Sequence, residues 1–540
     1  MNKFRRHFLA VAGLVIAALL AGNCADDFTV ETSDEDDIAG TTFDRTIVIS
    51  FGGTEASVSG DRNKIVSVNG NYVTVNNTTD EKIVYELSGA ANEGSFKIYS
   101  SRKQAIRLKQ LDLTNPKGAA INNQSKKRTF VVVEGNNSLA DGKSYSKTEG
   151  EDEKAAFFSE GQLIFSGTGT LSVKARGKAG ITSDDYLRFL ESPTVKVTSS
   201  AGHAICGKNA IIVSAGTLDV TTSADMKKGF SSDSLVRFDG GVTAITVKGS
   251  TVYDKKDGRY TGTSGIKADK MFEMLAGEVV IHNSGIGGKG ISGDGPGYFK
   301  GGTVMVTTTG ANFGSSNEIP SKGIKFDGDL SFSGAAVSVT SKSHEGISSK
   351  GTIDISGGVL TICANDDAIN AAGDVTINGG SVCAWSSDND GIDANGNLYI
   401  KGGLVYAIGT HAPEVALDSD TDEGKSLYIQ GGTVIAIGGL ERDAILSQKC
   451  YSASWSADTW YGLSAGLSSF AFKTPPSGGD TLVVSGISPV SLKTGVTVSG
   501  GTNLFNGLVV RDGAFSNGSS VDLSTYSSDT GWGSGTVLTH

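Results

Sequence analysis

Basic residues are in deficit in this 540-residue chain, where 47 Lys and Arg stand against 58 Asp and Glu for a formal net charge of −11. Phosphate binding needs a basic face, so nucleic acid is disfavoured as a partner. Cysteine (5) and histidine (6) are also scarce. The internal cysteines match no zinc or redox spacing, and the histidines form no zinc or nucleophile-triad spacing.

Proline is scarce as well (8 residues), whereas glycine is abundant (74). Asn, Asp, Ser and Thr crowd between short β-branched runs, which favours many short strands with tight turns over helices. A chain of this length would normally form several domains. A solenoid can absorb the length in one unit, because each coil buries its interior only against its neighbours.

The N-terminus has the features of an export signal. A basic segment precedes the apolar run from Phe8 to Leu20, which indicates a cleaved leader rather than a membrane anchor. The stretch Leu20 to Cys24 resembles a bacterial lipobox, although Asn23 departs from the usual Gly or Ala. It predicts a lipoprotein-type signal peptide over 1–23 and lipidation of Cys24, with a plain secretory signal as the alternative.

An acidic segment follows the leader and contains the run Asp34 to Asp37. Acidic residues behind a lipidated cysteine resemble the surface-export signal of some Gram-negative lipoproteins. We therefore expect residues 24–42 to form a flexible tether that links the protein to a lipid anchor at the outer membrane or cell surface. A solvated linker is the alternative interpretation.

One pattern recurs from residue 160 onward: Gly or Ala before Ile, a polar turn, an alternating strand, a Gly-Gly corner and a second strand. The copies that begin at Gly346-Ile347, Ala368-Ile369 and Gly391-Ile392 are 22 and 23 residues apart. Weaker copies begin at Gly180, Ala204, Gly229, Gly265, Gly290, Gly323, Ala416 and Ala444.

A unit of about 22–25 residues holds three short strands and three turns. The sequence therefore predicts an all-β chain that forms a right-handed, three-sided parallel β-helix. Leucine-rich repeats of similar period lack support, because their consensus is absent. The predicted divisions are irregular N-terminal coils over 43–155, the regular carbohydrate-binding β-helix over 156–450, and a C-terminal capping β segment over 451–540 that could equally be a small packed domain.

Three ordered motifs carry a family resemblance: Gly118 to Ile121, Val133 to Gly142, and Lys154 to Gly161. They resemble a bacterial family of β-helical carbohydrate-binding domain proteins, as does the later stretch Ala416 to Val434. The resemblance covers roughly 45–450 and implies a fold similar to polysaccharide lyases, binding of cellulose and pectic polygalacturonate, and bound calcium. The last 90 residues lie outside it.

The residues just before the repeat anchors form a column that changes sign along the axis: Lys228, Ser264, Lys289, Lys322, Glu345, Asp367, Asp390 and, past Val415, Asp443. Carboxylates on successive coils would stand about 4.8 Å apart and repel one another. A calcium ion is the natural counter-ion. The predicted metal ligands are Glu345, Asp366, Asp367, Asp388, Asp390 and Asp393. The alternative is that these acids only close Asx-turns.

Two weaker predictions concern other residues. Asp418, Asp420 and Asp422 form a second candidate calcium site, although Glu423 and Ile429 break the EF-hand pattern. Trp385 and Tyr406 occupy outward places on adjacent coils, where they would stack on a sugar or be covered by another part of the chain.

Three functions remain open at this point. Non-catalytic, calcium-assisted binding of acidic or plant-type polysaccharide at the cell surface is the favoured one. A calcium-dependent pectate-type lyase is the second, with Lys325 or Lys350 as the base and calcium to acidify the substrate proton. A surface adhesin or structural spacer is the third. Oligomeric state is not predicted.

Overall fold

The strands of this protein are short runs in which apolar and polar residues alternate, so that one face of each strand is buried. Thr303–Thr308 is typical, since Val304 and Val306 are buried while Met305 points outward. The structure is a computed structural model that describes residues 34–315 and 318–528. It is a three-sided parallel β-helix of about 15 turns, which confirms the predicted fold class.

Face 1 is a 15-stranded sheet in which every pairing is parallel except the first. Its strands are Val66–Asn69, Asn71–Asn77, Gly94–Ser100, Ile121–Asn123, Ala155–Ser159, Ala179–Ser183, Ile205–Gly207, Lys228–Ser232, Ser264–Ala268, Lys289–Gly293, Lys322–Phe326, Ile347–Ser349, Ile369–Ala371, Ile392–Ala394 and Leu417–Ser419.

Face 2 begins at the N-terminal end of the described chain and runs the length of the solenoid. Its strands are Arg45–Phe51, Ile83–Ala91, Gln104–Thr114, Thr129–Glu134, Leu163–Gly167, Tyr186–Phe189, Ala210–Val213, Leu235–Val247, Met271–Asn283, Gly297–Phe299, Leu330–Phe332, Ile353–Ile355, Val375–Ile377, Leu398–Ile400, Leu427–Ile429 and Ile445–Leu446. Ser57–Ser59 pairs antiparallel with the first of them.

Face 3 completes the triangle, and the four longest strands of face 2 bend round the corner to contribute to it. Its own strands are Asn136–Ala140, Thr170–Ala175, Thr194–Ser199, Thr217–Thr222, Thr303–Thr308, Ala336–Ser341, Val359–Ala364, Ser381–Ser386, Leu404–Ile408 and Thr433–Ile437. A separate hairpin, Val252–Asp254 with Arg259–Thr261, projects from the corner between faces 3 and 1.

The predicted repeat anchors form the inner ladder of face 1. Ile324, Ile347, Ile369 and Ile392 stack in register and are fully buried. The Gly-Gly pairs lie at corners of the β-helix, as predicted. Their second glycines, such as Gly358, have φ near +80°, a backbone conformation that L residues rarely adopt.

The last anchor is displaced from its predicted place. Leu417 is followed in the ladder by Leu440, whereas Ile445 stacks on Tyr428 of face 2. The prediction that Ala444 begins a coil and that Asp443 continues the column is therefore wrong. Glu441, which follows Leu440, lies above Asp418 instead.

The predicted leader 1–23, Cys24 and the residues up to 33 lie outside the described part of the chain. The prediction of a flexible tether is wrong for its end, where Asp34–Asp36 and Ile38–Gly40 form two short 3-10 helices docked on face 2. The buried Asp36 accepts hydrogen bonds from Tyr186 (2.5 Å) and Arg188 (2.9 Å). Within the described residues, no helix has the length and apolarity to cross a bilayer.

The C-terminal part both ends the solenoid and covers one side of it. Leu482–Ser485 pairs antiparallel with Thr433–Ile437 and with Cys450–Ala453, which in turn pairs with Ser524–Thr525. A six-stranded antiparallel sheet packs over face 3 and consists of Trp460–Ala465, Ser468–Lys473, Val490–Ser499, Thr502–Leu504, Val509–Arg511 and Ala514–Val521. Two further 3-10 helices are Thr421–Glu423 and Phe505–Gly507.

Candidate functional site

The outward side of face 1 carries two adjacent columns of polar residues in register from coil to coil. Column A contains Lys228, Ser264, Lys289, Lys322, Glu345, Asp367 and Asp390. Column B contains Ser231, Lys267, Ser292, Lys325, Ser348, Asn370, Asp393 and Asp418.

The columns touch one another, so they form one strip. Lys322 Nζ of column A donates to Ser348 Oγ of column B at 3.2 Å. Asn370 Nδ2 of column B donates to Asp367 Oδ2 of column A at 3.1 Å. The predicted stacking of Glu345, Asp367 and Asp390 on one side of the molecule is thereby confirmed, and column B reverses sign in the same direction as column A.

The charge reversal occurs between Lys322 and Glu345, whose side chains form an ion pair of 2.6 Å. His344 lies beside them, bonded to Glu345 and 2.9 Å from Asp366. Burial disfavours its charge, but the hydrogen bonds to Asp366 and Glu345 prevail and raise the pKa of His344 to about 9. Two cations thus face two carboxylates at this junction.

This junction is also a group of potential metal ligands, because His344, Glu345 and Asp366 place one ligand atom each within 4.8 Å of one another. Despite burial, His344 and Lys322 keep the pKa of Glu345 below its usual value, and His344 lowers the pKa of Asp366. The carboxylates are already neutralised by protein cations, so this group has little electrostatic need for a metal.

The carboxylates beyond the junction are in a different situation. Asp367, Asp390, Asp393 and Asp418 lie on three successive coils, with Asp390 and Asp393 on the same one. Within the described residues, none of them forms an ion pair with a basic side chain. Asp367 and Asp390 are only 5% and 7% exposed. Burial removes them from water without supplying an opposite charge.

The pKa values of these groups record that cost. Burial, followed by the charges of Asp393 and Asp366, raises the pKa of Asp367 to about 8. Burial also raises the pKa of Asp390 to about 9, with Asp367 contributing, and that of Asp393 to about 6. Ionisation of these carboxyl groups therefore costs free energy in the folded chain, and a bound proton or a bound metal cation would each relieve that cost.

Backbone and amide donors hold these side chains in place. Asp390 Oδ1 accepts the Val415 N–H at 2.5 Å, and Asp367 Oδ1 accepts the Asp390 N–H at 3.3 Å. Asn370 Nδ2 lies between the columns and also donates to Asp393 Oδ2 at 2.6 Å. The donor set beyond the junction is composed of oxygen atoms and one amide, which suits a hard cation rather than a transition metal.

The strip continues to a residue that the sequence interpretation missed. Glu441 is buried beside Asp418 and accepts from Thr421 Oγ1 at 2.9 Å. Burial and then the Glu441 carboxylate raise the pKa of Asp418 to about 10. The segment Gly439-Leu440-Glu441 repeats the Gly–apolar–acid order of Gly391-Ile392-Asp393, and this signal could have located the residue.

The remaining predicted ligands lie apart from this set. Asp388 is exposed in its turn. Asp420 caps a 3-10 helix by accepting from Glu423 N at 3.1 Å, and the exposed Asp422 pairs with Arg442. The second candidate calcium site is thus not assembled as predicted: Asp418 belongs to the main strip, while Asp420 and Asp422 have other partners.

Comparison with known proteins identifies the family of this chain. A family model described as "Carbohydrate-binding domain-containing protein" matches residues 69–389 and 320–454. The chain belongs to this carbohydrate-binding family. No curated protein sequence matches it. A solved structure titled "Structure of the polysaccharide lyase-like protein from C. thermocellum, Gadolinium derivative" is 20% identical, with a TM-score of 0.39, over 46% of this chain and 95% of that one.

Face 3 of the carbohydrate-binding domain contains the two aromatic residues predicted to contact sugar. Tyr406 is fully buried under the C-terminal sheet, where it packs against Phe472 and donates to the Lys473 carbonyl at 2.8 Å. The prediction that it stacks on a sugar is therefore wrong, and the alternative of a covered apolar stripe holds. Trp385 remains half-buried and lines a shallow groove with Cys363.

The two candidate catalytic lysines of the carbohydrate-binding domain share one acidic partner. Lys325 in column B and the mostly exposed Lys350 both pair with Asp327, the latter at 3.3 Å. Burial, and then the charge of Lys350, lowers the pKa of Lys325 to about 8. In column B, Lys325 lies three coils from Asp393.

Proposed function

We propose that this chain is a non-catalytic, calcium-assisted binder of acidic polysaccharide, with pectic polygalacturonate as the leading substrate class and cellulose as the other. A lipid on Cys24 would hold it at the outer membrane or cell surface of a bacterium. The observation that carries the proposal is a set of carboxylates on face 1, those of Asp367, Asp390, Asp393 and Asp418, to which the described residues offer no basic side chain within ion-pair distance. Membership of a carbohydrate-binding family supports a polysaccharide as the partner.

The residues present fit a calcium ion. Asp367 supplies carboxylate oxygens from one coil and Asp390 and Asp393 from the next, and Asn370 lies between Asp367 and Asp393. Turning the Asn370 amide would offer its oxygen in place of its N–H donor, and calcium accepts both kinds of oxygen. A calcium held in this way keeps positive charge available to a uronate carboxylate, so an acidic protein can bind an acidic polymer.

The experiment is a binding titration with polygalacturonate in calcium and in chelator. We expect binding in calcium, at least tenfold weaker binding in chelator, and loss of the calcium effect in the double variant Asp390→Asn/Asp393→Asn. Asp388→Asn is the matched control, because it removes an exposed carboxylate from the same turn. Equal binding in calcium and chelator by the unchanged protein would refute the calcium part of the proposal.

A lyase is the second candidate, because Lys325 lies in the same column as Asp393 and burial lowers its pKa to about 8, toward the range of a lysine that acts as a general base. Absorbance of unsaturated product during incubation with polygalacturonate would reveal this activity. Lys325→Ala should then abolish it, whereas Lys350→Ala should have a smaller effect, because Lys350 is mostly exposed. Binding without product formation excludes this candidate for that substrate.

A further inference from the structure

Three coils of the solenoid are much longer than the others, and the extra residues of two of them meet at one place. The face 1 anchors Phe230 and Ile266 are separated by an insert that forms the hairpin Val252–Asp254 and Arg259–Thr261. The coil from Ile291 to Ile324 contains a second insert near Phe313. Long inserts on a regular scaffold are where binding residues are commonly found.

Gly287 is the contact point between the two inserts. A Cβ on this glycine would lie 2.4 Å from Thr251 Oγ1 at the base of the hairpin and 3.1 Å from Phe313 Cβ of the second insert. The hairpin is held further by Tyr260, whose ring lies 5.0 Å from that of Phe313. The two inserts thus form one projection over the corner of face 1.

This projection exposes aromatic surface. Tyr253 and Tyr260 are directly paired across the hairpin with ring centroids 5.2 Å apart, yet they remain 51% and 46% exposed. Ile286 beneath them is 42% exposed. A cluster of exposed apolar groups on a protein surface indicates a contact site for a ligand or partner. Tyrosine suits sugars, because it offers an apolar ring face together with a hydroxyl.

The charge around the tyrosines opposes that of the whole chain. The hairpin carries Lys255, Lys256 and Arg259 against Asp254 and Asp257, in a protein whose net charge is −11. The local excess of positive charge favours an anionic ligand.

Lys289 of column A lies at the base of the same hairpin. Its Nζ is 3.5 Å from the position that a Cβ on Gly262 would occupy, and Thr251 Oγ1 is 3.2 Å from that position. The ammonium donates to the Gly287 carbonyl at 3.1 Å, and the described residues offer it no carboxylate within ion-pair distance. Thr251 Oγ1 is buried and has no hydrogen-bond partner there. The Lys289 ammonium therefore remains available to the carboxylate of a ligand.

We propose that Tyr253, Tyr260 and Lys289 form a subsite for one acidic sugar residue of the polysaccharide, with the sugar ring on the tyrosines and its carboxylate directed toward Lys289. This proposal rests on the proposed function, whose ligand class it shares. It places a calcium-independent contact on the basic half of face 1, separate from the carboxylates of the acidic half.

The test is titration of the full chain with polygalacturonate and with fully methyl-esterified pectin, whose sugars carry no charge. Tyr253→Ala/Tyr260→Ala should weaken binding of both polymers on the order of tenfold, in calcium and in chelator alike. Tyr253→Phe/Tyr260→Phe should restore most of it. The double variant Tyr399→Ala/Tyr428→Ala is the matched control, because it removes a stacked tyrosine pair from face 2.

A second variant leaves both tyrosines in place. Lys289→Gln should weaken binding of polygalacturonate severalfold and leave methyl-esterified pectin unchanged, because only the charged polymer has a carboxylate to lose. Unchanged affinity in both the tyrosine and the lysine variants overturns the subsite, as does an equal loss in the face 2 control.

The two proposals fail in different ways. If chelator has no effect but the tyrosine and lysine variants weaken binding, the calcium role is refuted and the subsite stands. If calcium controls binding but the hairpin variants bind normally, the subsite is refuted and the calcium role stands. An unchanged protein that binds neither polymer refutes both.

Discussion

Replacement of one buried carboxyl group in the acidic half of face 1 should stabilise the calcium-free protein. Asp390 is 7% exposed, and its pKa rises from 3.8 to about 9 in the folded chain. A pH of 7 lies about three units above the pKa of this carboxyl group in the unfolded chain. Keeping the group protonated in the folded chain therefore costs on the order of 4 kcal/mol of folding free energy. Asp390→Asn removes this penalty, and its Oδ1 still accepts the Val415 N–H.

The sign of the pH dependence follows from the raised pKa. The folded state holds the proton more tightly than the unfolded state, so stability is full below about pH 4 and falls as the pH rises toward 9. In chelator, the stability difference between Asp390→Asn and the unchanged protein should therefore be near zero at pH 4. It should reach on the order of 2–4 kcal/mol in favour of the variant at pH 7.

Calcium should offset most of the stability difference between the two proteins. With a dissociation constant of about 0.1 mM, as for weaker extracellular sites, 10 mM calcium would stabilise the unchanged protein by about 2.7 kcal/mol. The variant should gain much less. Denaturant unfolding followed by circular dichroism, in calcium and in chelator at each pH, measures all four stabilities, with Asp388→Asn as the control.

Two outcomes would refute this reasoning. One is a variant less stable than the unchanged protein in chelator at pH 7, which would mean that the carboxylate of Asp390 is compensated by another group. The other is an identical gain from calcium in both proteins, which would mean that the ion binds elsewhere.

Three further predictions concern the fold. Gly323→Ala should destabilise the solenoid by about 3 kcal/mol in thermal or denaturant unfolding, because its Cβ would lie 2.2 Å from Val339 Cγ1 and 2.4 Å from the Gly346 carbonyl oxygen. Tyr406→Ala should cost about 3–5 kcal/mol and expose the C-terminal sheet to limited proteolysis, because the ring is fully buried beneath that sheet. Asp36→Ala should increase amide hydrogen exchange in residues 34–43, because Asp36 bonds Tyr186 and Arg188 of face 2.

The regular part of the fold could be predicted because the repeat is simple. Each Gly/Ala–Ile anchor fixes one inward side chain, and parallel pairing in register then places the residues before the anchors in a column. This logic located Glu345, Asp367 and Asp390 on one side. It failed after Leu417, because the correct anchor has leucine in place of isoleucine at Leu440 and the more typical Ala444-Ile445 follows closely.

The details of the site could not be predicted from the repeat. The neutralisation of Glu345 depends on side-chain contacts with Lys322 and His344, and the spacing of anchors carries no information about rotamers. The burial of Tyr406 depends on where the C-terminal sheet docks, which is a contact between distant parts of the chain. The tyrosine hairpin lies inside an overlong coil, where the repeat has no position to assign to its residues.

The two ends of the strip on face 1 carry opposite charge and lie too far apart to interact electrostatically. Lys228 and Asp390 are six coils apart in column A, a separation of about 29 Å. Ions at physiological concentration screen such charges beyond about 8 Å. For the proposed polyanionic ligand, we therefore expect monovalent salt to weaken the contact at the lysine end and divalent ions to strengthen the contact at the acidic end.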